Sequence, residues 1–169
     1  MVIHFVVYQW IVFAHVGSAL VFMLSHGASA AVAFRLRTER DESRIRALLD
    51  ISAASYWGLS LSLLAVLATG VTLGVLGEWW RLAWFWTSLV LFFAITFVMT
   101  PMMAVPYNKL RVALGVNLPM GRQWKGPDDG RPRPEDVEDI LASASPVAAA
   151  WIGVVGILLI LWLMMFKPF

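Results

Sequence analysis

The sequence predicts an all-α fold, a four-transmembrane-helix bundle, and two observations carry this prediction. The chain has 169 residues, of which 60% are hydrophobic and 14% are charged, whereas a soluble domain is about half apolar and about a quarter charged. Asp, Glu, Lys and Arg are absent from four long stretches, and a helix needs about 20 apolar residues to cross a bilayer. These spans are residues 3–34, 51–77, 82–107 and 146–166 of a single integral membrane domain.

The first span is the longest and holds all three histidines of the chain, His4, His15 and His26. Its length requires it to tilt or to project beyond the hydrocarbon. Because residues eleven apart are separated by almost three helical turns, the histidines lie on one stripe, with about 16 Å between neighbours. An ionisable side chain inside a membrane helix is costly, which makes it a candidate functional residue. Small residues flank His15 and His26, so we expect both to face the bundle interior.

The second span carries small residues at a four-residue spacing. Such residues let the backbones of two helices approach closely, which is how helices associate in lipid. The first span also contains small residues, so we expect spans one and two to form a tight pair. The small residues of the second span are Ala54, Gly58, Ser62, Gly70 and Gly74.

The third and fourth spans carry signals at their ends. Tryptophans surround the start of the third span, as in the aromatic belt of a membrane interface. Pro101 and Pro106 predict a kink near its other end. Ser145 followed by Pro146 is typical of a helix start, which fits the fourth span. Residues 135–144 ahead of it predict a short amphipathic helix.

The basic residues predict the orientation of the bundle. Eleven of the 13 Lys and Arg residues lie in two loops, residues 35–50 and 108–145. By the positive-inside rule both loops lie in the cytoplasm and both termini lie outside. We expect residues 35–50 to form a helical extension along the membrane surface. The net charge of +2 is too small to indicate nucleic-acid binding. The expected partners of this membrane protein are the lipid bilayer and other membrane subunits, or a second copy in a homodimer.

The residue inventory excludes or disfavours several classes of chemistry. Without cysteine the chain cannot form disulfides, thiolate metal sites, iron–sulfur clusters or c-type haem attachments. No Asp or Glu lies inside a span, which disfavours proton-coupled transport. A nucleophile–base pair, a phosphate-binding loop and a zinc-protease motif are all missing. The sequence therefore argues against an enzyme with its own catalytic apparatus.

His15 and His26 are the candidate cofactor ligands. They are too far apart to share one iron, so a haem b held by two histidines would need two copies of the first span in a dimer. A His–Met pair is the alternative. A haem or related tetrapyrrole with one axial histidine avoids the difficulty. The structural alternative is that the histidines only hydrogen-bond neighbouring helices.

Copper is the other candidate cofactor, because imidazole and thioether ligands suit Cu(I). Spans one and three run in the same direction, so His26, Met99 and Met102 are expected at similar depths, and Met23 lies one turn from His26. The predicted metal ligands are therefore His26, Met23, Met99 and Met102. Methionine is also a common filler of apolar cores, which is the structural alternative for these residues.

Short motifs carry a family resemblance: His15-Val16-Gly17-Ser18-Ala19 and Phe34-Arg35-Leu36-Arg37 around the first span, Thr69-Gly70-Val71 in the second, and Lys109 and Arg111 after the third. Over about residues 8–114 the chain resembles an uncharacterised family of bacterial four-helix integral membrane proteins related to the membrane domain of copper-resistance protein D. The resemblance implies a prokaryotic inner-membrane protein with a copper- or haem-related role. Of the candidate ligands, the resemblance carries over only His15.

Two functions follow from these observations. One is a non-catalytic accessory subunit of a larger complex in the bacterial inner membrane, which the tryptophan-rich start of the third span and the lack of a complete site favour. The alternative is a redox or metal-handling membrane protein that binds haem, a related tetrapyrrole or copper through His15 and His26.

Overall fold

A computed structural model describes residues 2–125 and 130–168, with side chains from residue 6 onward. It confirms the all-α fold, because four helices are long and apolar enough to cross a membrane and no strand occurs in the described ranges. The long helices are α1 (Val2–Leu36), α2 (Glu42–Leu76), α3 (Ala83–Ala113) and α5 (Pro146–Phe166). A short helix, α4 (Val137–Ser143), precedes α5, and single 3-10 turns occur at Trp79–Arg81, Pro119–Gly121 and Pro134–Asp136.

The four long helices pack as two pairs. α1 lies along α2 and α3 lies along α5, while the two pairs touch each other at far fewer places. The small residues of α2 make the first pair close, since a β-carbon at Gly58 would lie 2.6 Å from the Ser25 Oγ. Ser29 Oγ and Ser55 Oγ hydrogen-bond across the same pair at 3.0 Å. The predicted tight pairing of the first two spans is confirmed.

Glycines of α5 have the same effect in the second pair. A β-carbon at Gly153 would lie 3.4 Å from the Met99 methyl of α3, and one at Gly156 would collide with the Ile95 side chain. Small residues therefore let α5 approach α3 closely, as they let α2 approach α1. The bundle consists of two tight pairs rather than four equally spaced helices.

The two pairs are joined at the end of the bundle where the α1–α2 turn and the segment after α3 lie, here called the basic end. Apolar side chains from α1, α2, α3 and α4 form a core there. Leu36, Leu49 and Leu110 in this core are at most 1% exposed. Since full burial of a leucine is worth about 1.5–3 kcal/mol, this core is a strong connection between the pairs.

Aromatic side chains close the opposite end of the bundle, here called the tryptophan end. The rings of Trp79 and Trp84 lie 5.3 Å apart between centroids. The Lys167 ammonium, just after α5, lies 4.4 Å from the Trp79 ring centroid, a distance at which a cation is attracted to the ring. The 3-10 turn that carries Trp79 also contacts α2. The tryptophans around the start of the third span therefore tie α2, α3 and α5 together.

The helices extend further toward the basic end than the uncharged spans do. α2 begins at Glu42, and its N-cap Asp41 accepts a hydrogen bond from the backbone N–H of Arg44 at 2.9 Å. Residues 42–50 are thus the first turns of α2 and not a separate helix on the membrane surface. α3 likewise continues to Ala113. An uncharged stretch shows which residues lie in the hydrocarbon layer. It does not show where the helix ends, because the end depends on capping and packing.

Glu39 organises the turn between α1 and α2. The residue is only 7% exposed, and its carboxylate accepts hydrogen bonds from the backbone N–H groups of Arg40 at 3.1 Å and Asp41 at 3.3 Å. It also pairs with Arg35 at 3.2 Å. The Asp41 N–H, followed by the Arg40 N–H and the charges of Arg35 and Arg44, lowers the pKa of Glu39 from its ordinary value of 4.5, against the opposing effect of burial.

The lowered pKa of Glu39 predicts a pH dependence of stability. A carboxylate with a lower pKa in the folded state stabilises the fold fully above its unfolded pKa, and this contribution disappears as the pH falls through the folded pKa. We expect Glu39→Gln to have a lower free energy of unfolding than the wild type near pH 7, with the difference shrinking below about pH 4. Thermal unfolding in detergent, followed by circular dichroism across this pH range, measures the effect.

Glu135→Gln is the control for this experiment, because the Glu135 carboxylate is 67% exposed and, among the described residues, pairs only with Arg133, at 3.7 Å. It should leave the pH dependence of unfolding as in the wild type. A constant stability difference between wild type and Glu39→Gln from neutral to acid pH would show that Glu39 does not act through its ionised form.

Candidate functional site

A cavity of about 480 Å³ lies between the two helix pairs, in the half of the bundle nearer the basic end. Its volume falls within the range of about 300–1,000 Å³ that is typical of small-molecule sites. All four long helices contribute to its walls, and residues 118–119 and 122–125 line it at the basic end. The cavity exists because the tight pairs touch each other so little along this stretch.

One face of α3 forms the long wall of the cavity. Ile95, Met99, Met103, Tyr107 and Arg111 all line it, since residues four apart lie on the same face of a helix. This stripe becomes more polar toward the basic end, from thioethers to a phenol and then a guanidinium. At 1.5 Å per residue, the Cα atoms of Met99 and Arg111 are ~18 Å apart along the helix axis. The cavity therefore has an apolar end and a cationic end.

His26 and Met99 meet at the apolar end of the cavity, against Gly153 of α5. A β-carbon at Gly153 would lie 3.4 Å from His26 Nε2 and 3.6 Å from Met99 Sδ. The missing side chain at Gly153 leaves the space that both groups approach. An imidazole nitrogen and a thioether sulfur, from helices that do not belong to the same pair, thus converge on one place.

Stacking, and not a hydrogen bond, holds the His26 ring. The Phe22 ring, one turn earlier on α1, is nearly parallel to it, with 5.6 Å between centroids and 12° between planes. Within residues 2–125 and 130–168 neither ring nitrogen of His26 makes a hydrogen bond. A neutral imidazole always keeps one nitrogen lone pair, which is the form that binds metal ions. His26 is therefore free to act as a ligand.

Arg111 lies at the cationic end and is 1% exposed. Its Nη2 donates to the backbone carbonyl of Leu49 at 2.7 Å. Its Nη1 is buried and has no hydrogen-bond partner in the described part of the chain. Asp50 supplies a negative charge nearby, but no ion pair between the two residues occurs among the described side chains. A buried guanidinium with a free donor therefore borders the cavity.

Further cationic side chains line the same end of the cavity. Arg122 and Lys125, both exposed, follow the 3-10 turn after α3 and contribute to the wall. The buried Nε1 of Trp124, another lining residue, also lacks a partner in the described ranges. The described lining residues include no Asp or Glu. The charged side chains among the described lining residues are thus all positive, and Asp50 supplies a negative charge nearby.

His15 lies outside the cavity and links α1 to α2. Its Nδ1 lies 2.9 Å from Thr69 Oγ1, and the Thr69 hydroxyl donates to the Ala65 carbonyl at 2.6 Å. With its hydroxyl hydrogen used in that bond, Thr69 can accept a hydrogen bond from His15 in the tautomer that carries its hydrogen on Nδ1. Gly70 leaves room for the His15 ring, since a β-carbon at this position would lie 3.1 Å from His15 Cε1. This geometry corresponds to the hydrogen-bonding alternative for His15.

The other two candidate metal ligands, Met23 and Met102, do not line the cavity with His26. Met23 is 46% exposed and does not line the cavity. Met102 borders a separate crevice on the far side of α3, together with Lys109 and Ser143. Met103, in contrast, lines the cavity with Met99. Among the described residues no three His, Asp or Glu side chains come together to hold a metal ion, so a metal at this site would depend on methionine.

Two residues that shape the site, Arg111 in the cavity wall and Gly153 beside His26 and Met99, are not among the site residues predicted from the sequence. In the sequence, Arg111 is one of the basic residues of the loop 108–145, and Gly153 lies inside the fourth apolar span. A signal for Arg111 exists, because it continues the four-residue spacing of Met99, Met103 and Tyr107. That spacing becomes meaningful only when α3 extends past the uncharged span. No sequence signal relates Gly153 of α5 to His26 of α1. Their contact depends on where α5 lies in the bundle, which its pairing with α3 determines.

No family model, curated protein or solved structure matches this chain. The resemblance to proteins related to copper-resistance protein D therefore stays a prediction.

The His15–Thr69 hydrogen bond predicts a matched pair of threonine variants. Thr69→Val removes the hydrogen-bond partner of His15 Nδ1 and should lower the free energy of unfolding by about 0.6 kcal/mol, the average for interhelical hydrogen bonds in membranes. Thr72→Val is the control, because the Thr72 hydroxyl is exposed and, in the described part of the chain, bonds only the Ala68 carbonyl of its own helix, at 2.8 Å. Denaturant unfolding in mixed micelles compares the two.

Equal effects of Thr69→Val and Thr72→Val would contradict an interhelical role for the His15 ring.

Proposed function

We propose that this polytopic membrane protein binds a redox-active cofactor in the cavity between its helix pairs, with His26 as the principal ligand. The observation that supports the proposal best is the convergence of His26 Nε2 and Met99 Sδ beside Gly153. The imidazole has no competing hydrogen bond among the described residues, and imidazole with thioether is a ligand set for soft metals. The proposed function is electron transfer or cofactor handling within the membrane.

The size of the cavity favours a tetrapyrrole over a bare copper ion. A bare ion needs its ligands to close around it at bond distance, whereas about 480 Å³ remains beside His26 and Met99. A haem b or related tetrapyrrole would use His26 alone, or His26 with Met99, and His–Met ligation is one of the modes found in haem proteins. Ligation within one chain removes the need for a dimer. Copper bound by His26, Met99 and Met103 is the narrower version of the same proposal.

An accessory-subunit role is the second candidate, and a specific surface favours it. Trp10 and Phe13 on α1 pack edge to face with 5.9 Å between ring centroids, and they are 66% and 70% exposed. Large aromatic side chains are enriched where protein surfaces meet partners. This face of α1 would bind a helix of a larger membrane complex or of a second copy of the chain.

The bacterial inner membrane is part of both candidates. The concentration of Lys and Arg at the basic end supports a cytoplasmic location for that end and an outside location for both termini. The cavity would then lie nearer the cytoplasmic surface, and a cofactor in it would be loaded from that side.

Oxidised and reduced absorption spectra of the gently solubilised protein, with metal analysis of the same sample, test the cofactor proposal. We expect a Soret band, or stoichiometric copper, in the wild type. His26→Ala should abolish most of this signal, because it removes the principal ligand, and Met99→Leu should shift the band or lower the occupancy.

Two variants serve as matched controls in this experiment. His15→Ala removes a histidine of the same helix that bonds Thr69 outside the cavity, and Met102→Leu removes a methionine of the same helix that faces another crevice. Both should keep the signal of the wild type. Equal loss in His15→Ala and His26→Ala would contradict the assignment to His26. A colourless, metal-free wild type that co-purifies with a larger complex would favour the accessory role.

A further inference from the structure

The free Nη1 of Arg111 is the least satisfied charged group in the described structure. A buried charge is unfavourable unless it is paired and hydrogen-bonded, and the Leu49 carbonyl satisfies only the Nη2 side of this guanidinium. The residue lines the cavity although it is 1% exposed. Arg111 is therefore a cavity-lining residue whose second terminal nitrogen, Nη1, has no partner in the described part of the chain.

The charged side chains that line the cavity beside Arg111 suit an anion, although Asp50 supplies one negative charge nearby. Arg122 and Lys125 line the same end of the cavity, and the described lining residues contribute no carboxylate. Asn108, one turn before Arg111 on the same wall, adds an amide that can donate a hydrogen bond. Positive groups around a partly enclosed space raise the local concentration of anions.

The opposite end of the cavity suits an apolar body. Phe22, Ile95, Met99 and Met103 line it, and ~18 Å along α3 separates Met99 from Arg111. An occupant that fills both ends must therefore combine an apolar part with an anionic group at one extremity.

We infer that the cavity binds an anionic amphiphile, whose carboxylate or phosphate group is held by Arg111 and whose apolar body extends toward His26. Guanidinium groups bind carboxylate and phosphate with paired, charge-assisted hydrogen bonds. Arg122 and Lys125 attract the ligand to the cavity, and Arg111 fixes its anionic end. This inference names the ligand class of the cavity described under the proposed function and rests on the cavity being a binding site, but it does not need a metal.

Two pairs of probes distinguish recognition of the anionic group from binding of the cofactor. Haem with free propionates is compared with haem dimethyl ester, in which the carboxylates are neutral. Dodecyl phosphate is compared with dodecanol, which has the same chain and no charge. Binding to the purified full-length protein in neutral detergent is measured by absorption titration for the haems and by native mass spectrometry for the dodecyl compounds.

We expect the wild type to bind the anionic member of each pair at least roughly tenfold more tightly, the effect of one charge-assisted hydrogen bond. Arg111→Gln should remove this preference. Arg122→Gln with Lys125→Gln, at exposed positions that do not endanger the fold, should reduce it by a smaller factor, roughly threefold. Lys109→Gln is the matched control, since Lys109 lies two residues before Arg111 in α3 but borders the separate crevice.

Each outcome bears on one of the two claims. Equal binding of anionic and neutral probes, or a preference that survives in a folded Arg111→Gln protein, would overturn the inference. If Arg111→Gln does not fold, the inference is tested by two other results: the affinities of the wild type for anionic and neutral probes, and the preference that remains in the Arg122/Lys125 variant. Preference for dodecyl phosphate without any His26-dependent haem spectrum would support the inference and contradict the proposed function. Haem binding through His26, with equal affinity for haem and for its dimethyl ester, would support the proposed function and contradict the inference.

Discussion

The uneven packing of the four helices is the constraint on which the rest of the structure depends. Small residues let α2 approach α1 closely at Gly58 and Gly70, and they let α5 approach α3 closely at Gly153 and Gly156. Helices in lipid gain little from burying apolar surface against each other, so close backbone approach decides which helices pair. Because the two pairs are joined mainly by the core at the basic end and the aromatic groups at the tryptophan end, the stretch between these joints is left open as the cavity.

The chemistry of the cavity follows from the helices that border it. α1 contributes the only histidine that faces it in the described structure, α3 contributes a stripe that runs from thioether to guanidinium, and α5 contributes the glycine that lets His26 and Met99 converge. One end of the cavity suits a soft metal or a flat apolar ring, and the other suits an anion. A tetrapyrrole with carboxylate side chains combines both properties, and so the cofactor proposal and the inference about Arg111 support each other.

The fold class was predictable from the sequence, and the site was predictable only in part. Uncharged stretches locate helices in hydrocarbon whatever their neighbours are, and small-residue spacing predicted the α1–α2 pair. Depth along the membrane could be counted from the flanking charges, which placed His26 near Met99. The same counting selected Met102, and Met23 was selected because it lies one turn from His26. Neither lines the cavity, because depth and helical spacing do not say which face of a helix borders it. The burial of Arg111 could not be predicted either, since it depends on α3 continuing beyond the uncharged span.

Cysteine accessibility tests the central claim, an open cavity between two tight pairs, most directly. The chain contains no cysteine, so single substitutions on α1 give no background. Ala30 lines the cavity, whereas Ala28, at nearly the same depth, is exposed on the outside of the bundle. In membrane fragments accessible from both sides, a charged methanethiosulfonate reagent should label Ala30→Cys much faster than Ala28→Cys, because a thiol ionises in water and not in hydrocarbon. Equal rates, or faster labelling of Ala28→Cys, would contradict an open cavity at this position.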